Sequence, residues 1–408
     1  MNTGDTAFVL ISAAMVMFMT PGLAFFYGGL VRRKNVINTM MSSFFIMGIA
    51  MVMWICIGYS LSFGKDHAGI IGGLDYIMFK GVGMDAGPYS SSIPHMAFAV
   101  FQMMFAVITP ALFTGAVTGR MRFKALALFV IFWTMIVYYP VAHMVWGHGG
   151  LLAAIGAVDF AGGNVVHISS GISALILCIL IGKRKGYDEV SYRVHNIPFV
   201  ALGAALLWFG WFGFNSGSAL GANGLAAHAF TTTAVSAASA MVSWMLLDVF
   251  LNKKPTLVGA CTGLVVGLVA ITPGAGYMPV WAAMITGFLV SPICYFMIST
   301  VQKKFGYDDA LDAFGCHCVG GIWGGISTGL FARTDINPSA KWNGLVFGDA
   351  RLFGAQLISI ALTIVIAVVG TMICAGLVKI FTPLRVDSRD EQMGLDISQH
   401  GERAYPSF

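Results

Sequence analysis

Two histidines, His167 and His317, each stand alone in a long uncharged, apolar stretch. A neutral imidazole carries one N–H donor and one acceptor nitrogen, so it can guide a small polar molecule, share a proton with a second ring, or bind haem iron or another metal. The plain alternative is a packing histidine bonded to a neighbouring helix. Matched surroundings argue against it. Asp159-FAGGNVV-His167 and Asp312-AFGC-His317 both run from an acidic residue through glycine-containing sequence to a single histidine. Asp159 reads as a helix N-cap, with a second role as cation stabiliser or proton relay left open. Cys316 and Cys318 flank His317, but neighbours on a helix diverge by about 100° and cannot grip one ion. No HExxH or CxxC pattern occurs, and neither a metal nor another cofactor is expected.

A second group of residues suits a small cation. Phe101, Phe105, Trp146, Trp208, Trp211 and Phe214 place aromatic rings at helix ends, and Ser218 follows Phe214 in GFNSGS. A single interfacial tryptophan is explained by membrane anchoring. A cation shedding water needs a π-face and a hydrogen-bond acceptor together, which Trp146 and Ser218 supply as a vestibule.

The elements that must hold these residues are membrane helices. Of 408 residues, 57% are hydrophobic and 10% charged, against roughly 25% charged in soluble domains. A span needs about 20 mostly apolar residues. Nine uncharged runs occur, and two of them (194–247 and 255–302) hold two spans each, broken at Asn215–Gly224 and Thr272–Pro279. The expected fold is all-α, polytopic, with eleven transmembrane helices. Alternate loops and the C-terminal end together carry 18 basic residues, among them Arg32, Arg122, Lys185 and Arg193, while Lys65, Lys80, Arg333, Lys341 and Arg351 are the 5 on the other side. That bias puts the N-terminus outside and the C-terminus in the cytoplasm. The net charge of +5 lies in these loops and calls for no nucleic acid. The first apolar run is too long for a signal peptide and reads as the first helix.

Five helices per half is an odd number, so the second half must run inverted, an arrangement that places a path near the membrane midplane. Residues 1–383 form the membrane domain: first repeat about 6–182, second about 197–332, eleventh helix about 352–381. The outer loop 65–94 has room for short structure, and the polar tail 384–408 reads as extended or loosely ordered. The 50 glycines fit close helix packing in lipid.

DFAGGNVVHISSGIS (159–173), PGLAFFYGGLVRRKN (21–35), FQMMFAVITPAL (101–112), AHMVWG (142–147), GWFGFNSGSA (210–219), DAFGCHCVGG (312–321) and EQMGLDISQHGERAY (391–405) together resemble the ammonium transporter (Amt/Rh) family over nearly the whole chain. The resemblance implies a homotrimer with one pore per subunit and no enzymatic activity. It implies recruitment of ammonium, with methylammonium as analogue, at Phe105, Trp146 and Ser218 with Phe101 nearby. Phe105 and Phe214 would form the gate, His167 and His317 line the pore, and Asp159 support transport. Trp146 favours the Amt branch over the Rh branch, whose members are neutral ammonia or carbon dioxide channels. The tail resembles a cytoplasmic regulatory segment that works with PII signalling proteins. No kinase or cyclase domain follows it, so a fused sensor is not expected. Met103 and Met104 depart from the smaller residues often found there.

Overall fold

The computed structural model describes residues 1–187 and 194–405; Arg193 and the last three tail residues lie outside them. Apolar composition leaves backbone N–H and C=O groups no partner but each other in lipid, so the chain is helical across the membrane. Nine described helices are long and apolar enough to span: Thr3–Leu30 (α1), Arg33–Phe63 (α2), His95–Val117 (α3), Phe123–Ala154 (α4, with a turn at 147–150), Gly163–Ile181 (α5), Ile197–Ala219 (α6), Gly224–Asn252 (α7), Val280–Phe305 (α9) and Ala350–Phe381 (α11). Two further helices, Leu257–Ile271 (α8, 15 residues) and 314–331 (α10), stand where the other two spans are expected. The break expected within Asn215–Gly224 falls in its second part, at 220–223. Helix α6 continues through Asn215, which is buried and donates to Thr233 Oγ1 at 2.8 Å.

Helix α1 packs along α6, and α5 against α10. Glycine permits the first contact: a Cβ at Gly203 would stand 2.2 Å from the Phe26 nitrogen. The basic residues also sort into two faces. Loops carrying Arg120, Arg122 and Lys185 gather around the tail. Lys341 instead reaches the Ala154 carbonyl on the face that holds the N-terminus, where Asn2 N donates to Ser92 O. On this amino face, loop 64–94 forms two small hairpins, β1–β2 (Asp66–His67, Ile71–Gly72) and β3–β4 (Ala86–Gly87, Ser90–Pro94).

The tail is not loosely ordered. Arg122 N donates to Leu384 O and Val386 N to Arg120 O, a short antiparallel pairing. A helix, Ser388–Met393 (α12), and a turn at Asp396–His400 follow. Lys34 Nζ donates to Glu391 O, Leu395 N to Asn35 Oδ1, and Asn38 N to Asp396 Oδ1 at 2.9 Å. Polar composition suggested solvation, but these groups are satisfied by the start of α2 instead.

Candidate functional site

Both histidines sit on π-helical turns that open their helices, Gly163–Ile168 in α5 and Phe314–Cys318 in α10. Each turn has an aspartate at its start. Asp159 Oδ1 accepts from Gly162 N and Gly163 N at 2.8 and 2.6 Å, and Oδ2 from Asn164 N and Val165 N at 2.7 and 3.4 Å. Four helix-start donors that would otherwise be orphaned thus share one carboxylate. In α10 the cap is Asp309, whose Oδ2 accepts from Phe314 N at 2.7 Å. This corrects the pairing of Asp159 with Asp312. Asp159 precedes His167 by eight residues and Asp309 precedes His317 by eight, and both carboxylates accept from the N–H five residues on.

The same register continues past the histidines. Gly171 and Gly321 each lie four residues after their histidine, on the same helical face. A Cβ on Gly171 would fall 2.3 Å from Cys318 N, and one on Gly321 3.1 Å from His167 Cβ. The two helices therefore cross at glycine, which brings the imidazoles together. His167 Nδ1 and His317 Nδ1 are 3.3 Å apart, with ring planes 10° from parallel. Both rings are buried, and His167 Nε2 has no protein partner. Cys316 and Cys318 part as helix geometry requires: Cys316 faces the histidine cavity, and Cys318 packs on Gly171.

That cavity is a narrow apolar lumen walled by Leu23, Tyr27, Leu112 and Trp211 around the two imidazoles. Trp211 stacks on His167 at 5.3 Å and 16°, and its Nε1 donates to Thr272 Oγ1. Trp211 therefore belongs inside the lumen and not at a helix end. Phe214 also lines the lumen, and Phe105 lies against it with centroids 4.3 Å apart. Beyond Phe105, towards the amino face, opens a vestibule walled by Phe105, Trp146, Ser218, Gln102, Tyr89 and Phe98. Trp146 stands edge-on to Phe105 at 5.7 Å and donates Nε1–H to the Asp159 carbonyl. Ser218 Oγ donates to Phe214 O at 2.9 Å, which leaves its lone pairs free to accept.

A family model described as the Ammonium Transporter Family matches residues 7–405. The chain belongs to the ammonium transporter family. Among relatives, an ammonium transporter of Bacillus subtilis strain 168 is 50% identical over 405 residues, covering 99% of each chain. The crystal structure of Candida albicans Mep2 is 31% identical with TM-score 0.89, covering 99% of this chain and 90% of that one. A solved sensor Amt protein is 27% identical with TM-score 0.88, covering 97% and 98%.

Against this family frame, Phe105, Trp146 and Ser218 do meet in one vestibule, and His167, His317 and Phe214 in one lumen. Phe101 does not line either. It is fully buried, edge-on to Phe105 at 5.0 Å and packed on Gly217, so it backs the Phe105 ring. Asp159 is absent from both walls, and its oxygens are occupied by backbone donors. The sequence reading missed Gln102 and Phe98. With Phe105 they fall at i, i+4 and i+7 on α3, a helical face that the spacing alone could have revealed. Tyr89 was beyond reach, because it arrives from the β3–β4 hairpin and stacks on Phe98 at 4.8 Å.

Proposed function

We propose that this chain takes up ammonium across the cytoplasmic membrane, as a homotrimer of eleven-span subunits with inverted halves. The amino face is the outside and the tail face the cytoplasm, on the strength of the basic-residue bias. Ammonium is recruited at Phe105, Trp146 and Ser218, loses a proton near the Phe105–Phe214 gate, and passes as ammonia along His167 and His317. The observation that carries this reading is the pair of touching imidazoles in an apolar, uncharged lumen directly behind an aromatic gate.

Magnitudes decide which species passes. Placing an ion in a low-dielectric medium costs of order 20 kcal/mol in the idealised limit and several after relaxation. Cation–π contact returns only about 2 kcal/mol. The vestibule can therefore select a cation but cannot carry it through the lumen. Losing the proton removes most of the penalty, and neutral ammonia then hydrogen-bonds to the rings. The family favours net electrogenic uptake, with the proton following along the histidines. The lining of the lumen favours the histidines over Asp159, whose carboxylate is held by backbone.

Ammonium-evoked current on a solid-supported membrane bearing proteoliposomes is the test. The expected result is a current in the wild type that is lost or altered in selectivity in His167→Ala, with the assembly intact. Ammonia flux without current would replace this reading with a neutral, Rh-like channel. A sensor is the second reading, favoured by the likeness to the sensor Amt protein. Absence of both flux and current would select it. The tail, docked beside the mouth of the path, is read as the control element that a PII-type protein engages.

A further inference from the structure

Below the lumen, on the tail face, lies a second cavity of opposite character. Lys34, Asn35, Thr118, Arg184, Asp312 and Glu391 are among its walls. Side chains of this kind hold water, whereas the lumen above has no charged residue in its wall and is mostly apolar, its polar groups being the two imidazoles and a few side chains such as Tyr27 and Thr262. Among the described residues one side chain borders both cavities: Leu311.

The backbone that presents it is unusual. Asp312 has φ +58°, the left-handed region that residues with a Cβ adopt only under strain. This turn lets adjacent residues serve opposite sides: Ala310 and Asp312 line the polar cavity, and Ala313 lines the lumen. The turn is held at both ends. Ala310 N donates to Ala116 O at 3.3 Å, Cys316 N to Asp312 O at 2.9 Å, and Asp309 caps α10 just behind. Strained backbone persists only where its surroundings over-determine it, and here the strain sets one leucine between a wet and a dry compartment.

We propose that Leu311 is the inner seal of the path, the apolar plug that keeps tail-face water, and any hydrated ion with it, out of the histidine lumen. It is the counterpart of the Phe105–Phe214 gate at the other end. The functional meaning of the seal rests on the reading of the lumen as an ammonia path. A neutral molecule can displace a leucine side chain transiently, whereas a hydrated cation must bring its water past it.

Cys316 lies on the lumen side of Leu311 and reports the seal without reference to transport. The full-length protein in nanodiscs is treated with a small, charged methanethiosulfonate, and Cys316 modification is followed by tandem mass spectrometry, which resolves it from Cys318. Cys316 is expected to be protected in the wild type and in Leu311→Met. In Leu311→Ala, which removes apolar contact from the plug, modification should be at least about tenfold faster. Leu112→Ala, a cavity made in a wall that borders the lumen alone, should leave Cys316 protected. Equal rates in wild type and Leu311→Ala, or equal exposure by Leu112→Ala, would overturn the assignment. A wild type with neither ammonium-evoked current nor ammonia flux would sink the ammonia-path reading and leave the labelling result to decide the seal on its own.

Discussion

His167 and His317 were legible because a polar ring in hydrocarbon is expensive and calls for a reason. Their partner aspartates were half legible. The 308–312 segment holds Asp308, Asp309 and Asp312, and only the hydrogen bonds distinguish the one that caps α10. The capping geometry makes Asp159 a positioning residue, and that yields a prediction. Asp159→Ala strands four N–H groups, beyond the 0.5–2 kcal/mol typical of losing an ordinary cap. A fall in thermal midpoint of several degrees is expected, with methylammonium uptake largely lost. Asp159→Asn keeps one acceptor oxygen and should be intermediate in both measurements. Stability restored with uptake still absent would instead show that the negative charge itself is used.

At the scale of elements, the spans were readable from uncharged runs, yet their contacts were not. That Gly171 and Gly321 are the crossing points follows from which helices meet, and no local pattern separates them from the other 48 of the 50 glycines. Gly171→Ala puts a methyl against the Cys318 backbone nitrogen, and such overpacking costs about 1–3 kcal/mol. Lowered thermal stability and reduced uptake should follow, whereas Gly48→Ala, whose added carbon meets nothing within 4 Å, should change neither. The tail was misread because its bonds join segments some 360 residues apart. Its docking should depend on pH. Burial lowers the pKa of His400 below its ordinary 6.5, although Asp396 and Glu402 pull the other way. The neutral ring can accept from Asn38 Nδ2 at 2.9 Å, and Phe123 packs against it. A docked tail thus binds fewer protons than a free one. The contribution is whole above about 6.5 and is lost as pH falls from there towards the lowered docked value. Amide exchange across 388–400, corrected for intrinsic rates, should speed up on acidification, and His400→Gln should abolish that response.

For the whole molecule, composition fixed the class and loop charge fixed which segments share a face. The folded chain keeps that grouping, since Lys34, Arg122 and Lys185 all meet the tail. Which face is outside rests on the positive-inside bias and is directly measurable. In intact cells, Met84→Cys, at the tip of the amino-face loop and 83% exposed, should react with an impermeant maleimide. Lys254→Cys, exposed in the α7–α8 connection, should react only after the membrane is opened. The reverse pattern would invert the chain. The vestibule is the part that needed the whole fold, because its wall draws on α3, α4, α6 and a hairpin at once.

The contact between the two imidazoles has a further consequence. A bond between two Nδ1 atoms holds one hydrogen, so one ring donates and the other accepts. If His167 donates from Nδ1, its free Nε2 is a bare acceptor and His317 carries its hydrogen on Nε2; if the roles reverse, so do the outer nitrogens. The neutral pair is thus a switch with two settings, never symmetric. It always offers one basic and one acidic nitrogen along the lumen. A molecule that slips by leaves the setting as it found it, but a proton handed through flips it. The next proton cannot follow until the setting is restored, so the pair would keep a record of whether the last passage carried charge.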